Sequence, residues 1–189
     1  YSKVRQHIHK LVEKGEHKEA FYILDPQSAV ERINLWRSFL PRVEIFYAVK
    51  TNPNQKVLEK CLEKKTGFDV ASGSEMIKIM ASGGKPEHCI YASPIKKVSD
   101  LLLAKKFGIK KMTFDCLEEL FKIHKNFPGA ECVLRIATEA TTALYNLSEK
   151  FGASMQEVPE LLKTVKKLGL NLKGVAFHTG SGGVTFISY

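Results

Sequence analysis

Short apolar runs of strand length alternate along this chain with amphipathic stretches of helix length. The runs are close to continuously apolar, which is typical of parallel strands that are buried on both faces of a sheet. Strict alternation of strand and helix predicts a parallel α/β fold, because each parallel pair needs a crossover between its strands. The predicted strands are 20–24, 43–49, 67–71, 89–92, 111–114, 132–137 and 172–177.

Two closures of such a sheet remain open, a doubly wound open sheet and a (β/α)8 TIM-type barrel. The predicted strands follow one another at intervals of about 20 to 25 residues until a polar insertion at 138–152, and this regularity favours the barrel. A complete barrel needs eight strands and typically about 250 residues. Because this chain has 189 residues, we expect a barrel that the chain does not close alone.

Composition and charge exclude several classes of function. Hydrophobic residues make up 44% of the chain and charged residues 26%, which is ordinary for a soluble globular protein. No apolar run approaches the roughly 20 residues that cross a bilayer, and residues 1–18 lack the apolar centre of a signal peptide. We therefore expect a cytoplasmic protein that does not contact a membrane.

The net charge of +9 does not predict nucleic-acid binding. The lysines are scattered in pairs such as Lys105-Lys106 and Lys110-Lys111, often near helix ends, where cations favour the helix dipole. No basic run is interleaved with aromatic residues, so a nucleic-acid partner is not expected.

The cysteines have no CxxC spacing, and we expect them to be reduced, buried small hydrophobes that form no disulfide framework and bind no metal. They are Cys61, Cys89, Cys116 and Cys132.

Residues 117–126 are predicted to form an amphipathic helix. Apolar residues at the spacing i, i+3, i+4, i+7 predict the helix face that packs against the sheet. The predicted stripe consists of Leu117, Leu120, Phe121 and His124.

The run at 43–49 ends abruptly in Lys50, and the turn formers Asn52 and Pro53 follow. This places Lys50 at the carboxyl end of a buried strand, where parallel α/β folds carry their chemistry. An apolar strand behind a lysine predicts partial desolvation, which lowers the pKa and frees the amine to attack an aldehyde. The alternative is a strand-end lysine that simply reaches solvent.

If the strands are parallel, other polar side chains meet Lys50 at one edge of the sheet. Arg135 needs an anion or carboxylate partner there, because a buried unpaired guanidinium is costly. Asp115 is interpreted as a helix N-cap, Ser74 as the cap of the helix after Asp69, and Glu75 as part of that helix's first turn. The strand-end residues are Lys50, Asp69, Ser93, Asp115, Arg135 and His178.

His178 permits two interpretations, a structural histidine or a residue of the site. It is followed by Gly180, Ser181, Gly182 and Gly183, whose backbone N–H groups and hydroxyl suit a phosphate.

Several motifs, in this order and at this spacing, resemble the eukaryotic ornithine decarboxylases. This family belongs to the pyridoxal-phosphate enzymes that combine an alanine-racemase-like barrel with a β domain. The resemblance covers about residues 20–182. The motifs are FYAVKTN (46–52), GFDVAS (67–72), IYASP (90–94), MTFD (112–115), VLRIAT (133–138) and FHTGSG (177–182).

The resemblance implies the cofactor and the roles of the site residues. Lys50 matches the lysine that binds pyridoxal 5′-phosphate covalently, and His178 matches the residue that stacks on its ring; both are the expected catalytic residues. Ser181 matches a phosphate contact. The remaining cofactor-binding residues implied by the family are Asp69, Glu75 and Arg135.

The resemblance also implies an organisation that this chain does not complete. Residues 1–25 are expected to belong with the β domain, and residues 26–189 to form part of the cofactor-binding barrel. Most of the β domain, a later phosphate loop, the carboxylate that pairs with the pyridinium and a catalytic cysteine are expected beyond residue 189. In the family a partner subunit supplies that cysteine, so a homodimer with shared active sites is expected. Thr51, Val70 and the tail 183–189 depart from the family pattern.

The implied activity is decarboxylation of the small-molecule substrate L-ornithine to putrescine, a step of polyamine biosynthesis. Two rivals remain: a catalytically inactive relative similar to antizyme inhibitor, and a decarboxylase for another basic or diamino acid. The family also implies antizyme as a possible partner, which would contact about residues 96–125.

Overall fold

The computed structural model describes residues 2–15, 19–138 and 150–182. Its helices are α1 (Ser2–Glu13), α2 (Gln27–Phe39), α3 (Gln55–Glu63), α4 (Gly73–Ala81), α5 (Val98–Phe107), α6 (Leu117–Asn126) and α7 (Val158–Lys167). Its strands are β1 (Phe46–Ala48), β2 (Gly67–Val70), β3 (Cys89–Tyr91), β4 (Lys111–Phe114), β5 (Glu131–Arg135) and β6 (Asn171–Ala176). Short 3-10 turns follow β1 at Val49–Thr51 and precede β3 at Pro86–His88.

The six strands form one sheet in the order β1-β2-β3-β4-β5-β6, and every neighbouring pair is parallel. A doubly wound sheet reverses its strand order at a switch point, whereas this order runs in one direction throughout. The predicted parallel α/β fold is therefore confirmed, and the strand order corresponds to six consecutive units of a barrel.

The strand predicted at 20–24 is wrong. This stretch is irregular and does not belong to the six-stranded sheet. Its side chains are largely exposed, and Tyr22 is completely so, which shows that the apolar run is not packed as a strand would be. The chain then enters α2 through a turn in which the Asp25 carboxylate accepts a hydrogen bond from the backbone of Gln27 at 3.0 Å.

The core lies between the sheet and the helices that cover it. Gly67 is required at the start of β2, because a Cβ atom there would lie 2.5 Å from the Phe46 ring. The same ring lies 5.3 Å from the ammonium of Lys111, within cation–π range. The largest fully buried side chains are Tyr91, Phe68, Phe114, Leu58, Met76, Ile79, Leu101, Ile109, Met112, Leu120, Ile123 and Leu134.

Helix α6 begins and ends as predicted, but only half of its predicted inward stripe is correct: Leu117 and Leu120 pack against the core. Leu120 and Ile123 are buried, whereas Phe121 and His124 are exposed. The unexpected buried residue is Glu119, which is only 1% exposed. An acidic side chain in the core requires a cation beside it, and periodicity of apolar residues cannot reveal such a pair.

The cation is Lys96, whose Nζ lies 2.8 Å from Glu119 Oε1 with both side chains fully buried. The ammonium also donates to the carbonyl oxygens of Ser93 at 3.1 Å and Pro94 at 3.2 Å, and to that of Thr113. Burial lowers the pKa of Lys96, and the Glu119 carboxylate opposes that shift. Lys122 forms a second ion pair with Glu119, so the cluster ties the ends of β3 and β4 to α6.

The described residues contain no helix that is long and apolar enough to span a membrane. Within the same ranges no group of three or more His, Cys, Asp or Glu side chains is arranged to hold a metal ion. The four cysteines are free, and Cys61, Cys89 and Cys132 are buried while Cys116 is half-buried.

We predict that Lys96→Met lowers the free energy of unfolding of the full-length protein by about 3 kcal/mol. The substitution removes three hydrogen bonds to carbonyls and leaves Glu119 paired only with Lys122. Denaturant unfolding at constant protein concentration measures the change. Lys60→Met is the matched control, because Lys60 forms an exposed ion pair with Glu63 at 2.8 Å, and its loss should cost under about 1 kcal/mol. Equal costs for both variants would contradict the prediction.

Candidate active site

The parallel pairing brings the carboxyl ends of the strands to one edge of the sheet, here called the rim. Lys50 lies in the turn after β1, Asp69 lies in β2, Arg135 ends β5, and His178 follows β6 by two residues. The charge of Lys50 acts on the pKa of both Asp69 and His178. Strands at opposite ends of the sheet thus contribute side chains to one site, which requires the curvature of a barrel.

Lys50 is exposed on this rim, so the expected desolvation is wrong for the chain as described. The physical reason is that β1 ends at Ala48 and Lys50 lies beyond it, in the 3-10 turn, with only Val49 fully buried. The turn itself is well fixed: the Tyr47 hydroxyl donates to the Asn52 carbonyl at 3.1 Å. The amine of Lys50 is therefore carried by a turn that this hydrogen bond fixes, and it is accessible from solvent.

Asp69 is half-buried beside Lys50. Burial raises the pKa of its carboxyl, the charge of Lys50 opposes this shift, and the nearby charge of Glu75 adds to it. A carboxyl group with opposing influences of this kind is typical of functional sites.

Glu75 has a clear structural partner. Its Oε2 accepts a hydrogen bond from the Ala71 backbone N–H at 2.8 Å, while the Ser72 hydroxyl oxygen caps the Glu75 N–H at 3.4 Å. This is close to a capping box at the start of α4. The cap is Ser72 rather than the predicted Ser74, because Ser72 has the extended backbone that a cap requires.

Arg135 is half-buried, and burial lowers the pKa of its guanidinium while the carboxylate of Asp115 opposes that shift. The guanidinium lies 5.1 Å from the centre of the Phe151 ring. Asp115 is not the N-cap of α6 as predicted, since Cys116 occupies that position. Asp115 Oδ2 instead accepts a hydrogen bond from the Gly152 backbone at 2.8 Å, a long-range contact that local sequence cannot indicate.

His178 is exposed, but its ring is fixed from one side. Its Nδ1 accepts a hydrogen bond from the Gly180 backbone N–H at 2.9 Å, which assigns the proton of the neutral ring to Nε2. Burial of the ring atoms lowers the pKa of His178, and the positive charges of Arg135 and Lys50 lower it further. The Thr138 hydroxyl donates to the His178 carbonyl at 2.7 Å and joins the ends of β5 and β6.

Ser181 is exposed on the turn after His178. Gly180 and Gly182 have φ angles of +90° and +71°, the left-handed region in which glycine is favoured and backbone N–H groups can converge on an anion. The predicted phosphate nest also includes residue 183, which lies outside the described residues. Ser93 has a local role, because its hydroxyl donates to the Ile95 carbonyl at 2.8 Å.

The sequence interpretation missed two rim residues, Phe151 and the anchoring hydroxyl of Tyr47. Phe151 lies 16 positions after Arg135 in a polar stretch with no periodicity. The only local signal is the glycine that follows it, whose φ is +101°.

We predict that His178 titrates below its ordinary pKa of 6.5. Because the fold favours the neutral ring, its contribution to stability is complete above the ordinary pKa and is lost as the pH falls through the lower folded value. NMR titration of the imidazole measures the midpoint. Arg135→Met and Lys50→Met should each raise the midpoint. Lys60→Met should not, because Lys60 pairs with Glu63 on α3 and its charge is not among those that lower the pKa of His178. A midpoint above the ordinary value would contradict the prediction.

Comparison with known proteins identifies the family. The family model described as "Pyridoxal-dependent decarboxylase, pyridoxal binding domain" matches residues 27–189. Ornithine decarboxylase of Saccharomyces cerevisiae is 43% identical over 171 residues, which are 90% of this chain and 37% of the yeast protein. Antizyme inhibitor 2 of Xenopus laevis is 40% identical over 171 residues, 90% of this chain and 38% of the frog protein.

Solved structures show the same relationship. The arginine decarboxylase of Paramecium bursaria Chlorella virus has a TM-score of 0.92 at 34% identity, covering 98% of this chain and 49% of the viral chain. Lysine decarboxylase from Selenomonas ruminantium (SrLDC), in complex with pyridoxal phosphate (PLP) and cadaverine, has a TM-score of 0.87 at 32% identity, covering 97% of this chain and 46% of that chain. The chain spans less than half the length of each of these relatives.

The matched family model, the curated relatives and the structural neighbours all indicate the same family. The chain belongs to the pyridoxal-dependent decarboxylases, and its residues 27–189 match their pyridoxal-binding domain, whose cofactor is pyridoxal phosphate.

Proposed function

We propose that the full-length protein is a PLP-dependent decarboxylase that converts L-ornithine to putrescine and CO2. The observation that carries the proposal is the exposed amine of Lys50, on a fixed turn, within electrostatic reach of Asp69 and His178. Ornithine is preferred because the yeast relative, at 43% identity, is an ornithine decarboxylase. The structural neighbours include decarboxylases of other basic amino acids, so that arginine and lysine are the substrates to compare.

The residues on the rim fit the cofactor. An accessible amine suits an aldehyde, and a left-handed turn at Gly180 and Gly182 suits the approach of a phosphate to backbone N–H groups. When bound, the cofactor supplies an electron sink for the negative charge that remains on the substrate after CO2 leaves. Lys50 and His178 are the proposed catalytic residues. The proposed cofactor-binding residues are Lys50, Asp69, Glu75, Arg135, His178 and Ser181.

Each rim residue has a distinct part in this proposal. Lys50 would hold the cofactor through its aldehyde carbon once the amine has lost a proton, and the aldehyde oxygen would leave as water. Asp69 is the nearby group whose carboxyl responds to the charge of Lys50. His178 offers a flat ring held at Nδ1, which orients it for stacking. Glu75 holds the β2–α4 turn by its bond to Ala71, and from this position its charge raises the pKa of Asp69.

The larger organisation is also proposed. Residues 1–25 are assigned to a segment that associates with a β domain, and residues 26–189 to the barrel. A homodimer with shared active sites and a cytoplasmic location fit this family assignment.

Antizyme is a further proposed partner of this chain. It would contact the lysine-rich region from about residue 96 to residue 125, whose positive charge suits an acidic surface.

A second candidate function is that of a non-catalytic protein similar to antizyme inhibitor. The similarity to the frog antizyme inhibitor 2 favours it. The presence of Lys50, Asp69 and His178 together favours the enzyme, because a protein that only binds a partner has no need of an accessible amine beside these groups.

We predict that borohydride reduction of the full-length protein with pyridoxal phosphate attaches the cofactor to Lys50. Peptide mapping by mass spectrometry identifies the modified lysine, and loss of visible absorbance follows the reaction. Lys50→Ala should abolish the adduct. Lys56→Ala, at an exposed lysine in the first turn of α3, is the matched control and should retain it. An adduct only on another lysine would overturn the assignment, and no adduct would favour the non-catalytic alternative.

For His178 we predict that substitution by alanine lowers turnover about tenfold to a thousandfold, or roughly 1.4–4 kcal/mol of transition-state stabilisation. Cofactor retention should weaken as well, while the melting temperature of the cofactor-free protein stays near normal, because the side chain is exposed. Steady-state kinetics with L-ornithine and thermal unfolding measure the two effects. A large loss of stability with normal turnover would remove His178 from the proposed site.

A further inference from the structure

The guanidinium of Arg135 lies on the rim against an aromatic ring. Its central carbon is 5.1 Å from the centre of the Phe151 ring, within the range at which a cation is attracted to an aromatic face. The N–H donors of a guanidinium point outward in its plane. Contact with a ring therefore stabilises the charge while leaving donors available for another partner.

Asp115 fixes the backbone that carries this ring. Its Oδ2 accepts the Gly152 backbone N–H at 2.8 Å, and Gly152 directly follows Phe151. Gly152 has a φ of +101°, and a Cβ atom there would lie 2.6 Å from the backbone N of Ala137. Only glycine permits this approach, so the placement of Phe151 depends on this close contact and on the hydrogen bond from Gly152 to Asp115.

The same segment is joined directly to the strand that carries Arg135. The Ala153 backbone N–H donates to the Arg135 carbonyl at 2.9 Å, and the Ala137 N–H donates to the Ala153 carbonyl at 2.9 Å. These bonds form a parallel bridge between Ile136 and Ala153. Ala153, two residues after Phe151, is thus bridged to the chain that directly follows β5.

Asp115 also acts on Arg135 through its charge. The carboxylate favours the charged guanidinium and opposes the effect of burial on the pKa of Arg135. One carboxylate oxygen of Asp115 already accepts the Gly152 N–H. Asp115 therefore stabilises the charge of Arg135 while N–H donors of the guanidinium are left for another partner.

We propose that Asp115 and Phe151 are positioning residues, which hold the Arg135 guanidinium in one orientation on the rim for contact with the bound cofactor. The inference rests on the proposed function, in which Arg135 contacts pyridoxal phosphate. Neither Asp115 nor Phe151 needs to touch the cofactor.

The test compares two variants in the full-length protein, each with and without Arg135→Met. Asp115→Asn keeps an oxygen that can accept the Gly152 N–H but removes the charge. Phe151→Leu keeps apolar bulk but removes the ring. Spectroscopic titration of the cofactor-free protein with pyridoxal phosphate measures the dissociation constant. Each variant should raise it about threefold to tenfold, and neither should raise it further when Arg135 is already methionine.

The matched control is Asp25→Asn. Asp25 is likewise an aspartate that accepts a backbone N–H, at 3.0 Å from Gln27, but it lies at the start of α2. It should leave the dissociation constant unchanged.

A readout in the cofactor-free protein separates this inference from the proposed function. The NMR signal of the Arg135 Nε–H should shift in Phe151→Leu through loss of the ring current, and should exchange faster with water in Asp115→Asn. The melting temperature and the oligomeric state of both variants should match those of the unsubstituted protein.

Three results would overturn the proposal. The first is that Asp115→Asn and Phe151→Leu raise the dissociation constant equally whether residue 135 is arginine or methionine. The second is that the NMR signal of the Arg135 Nε–H is unchanged in both variants. The third is that Arg135→Met binds the cofactor normally. If the unsubstituted protein forms no adduct at Lys50, the proposed function fails, while the Arg135 signal still decides whether Asp115 and Phe151 position the guanidinium.

Discussion

Backbone hydrogen bonding between parallel strands in strict chain order is the constraint on which the rest of this structure depends. Consecutive strands pair with each other in parallel from β1 to β6, so all six point the same way and their carboxyl ends share one rim. Helices must then return the chain to the start of the next strand. The site follows from this arrangement, because residues as distant in sequence as Lys50 and His178 both follow the carboxyl ends of their strands, on the same side of the sheet.

The rim combines positive and negative groups. Its cations are Lys50 and Arg135, and its carboxylates include Asp69 and Asp115. The charges of Arg135 and Lys50 both lower the pKa of His178. The charge of Lys50 opposes the raised pKa of Asp69, and the charge of Asp115 opposes the lowered pKa of Arg135. A neutral imidazole, held at Nδ1 by Gly180, adds a flat surface without adding charge.

Behind the rim, a second set of charges holds the strand ends in place. Lys96 and Glu119 are buried together, and the ammonium binds carbonyl oxygens that follow β3 and lie within β4. A buried ion pair is weak evidence for net stability but specifies one arrangement of its neighbours. Here it fixes the ends of two strands against α6, close to the position from which Asp115 reaches Gly152.

Periodicity and strand–helix alternation determined the architecture from the sequence alone, because burial of apolar side chains repeats with the local geometry of strands and helices. They located every strand of the sheet, the residues at the strand ends and the bounds of α6. Motif order at 46–52, 133–138 and 177–182 indicated the family. Only the tertiary structure decided the exposure of Lys50, the burial of Glu119 and the contact of Asp115 with Gly152, and it rejected the strand at 20–24. Each of these depends on partners far away in the sequence, and burial, ion pairing and long-range hydrogen bonds are set by those partners rather than by the local pattern.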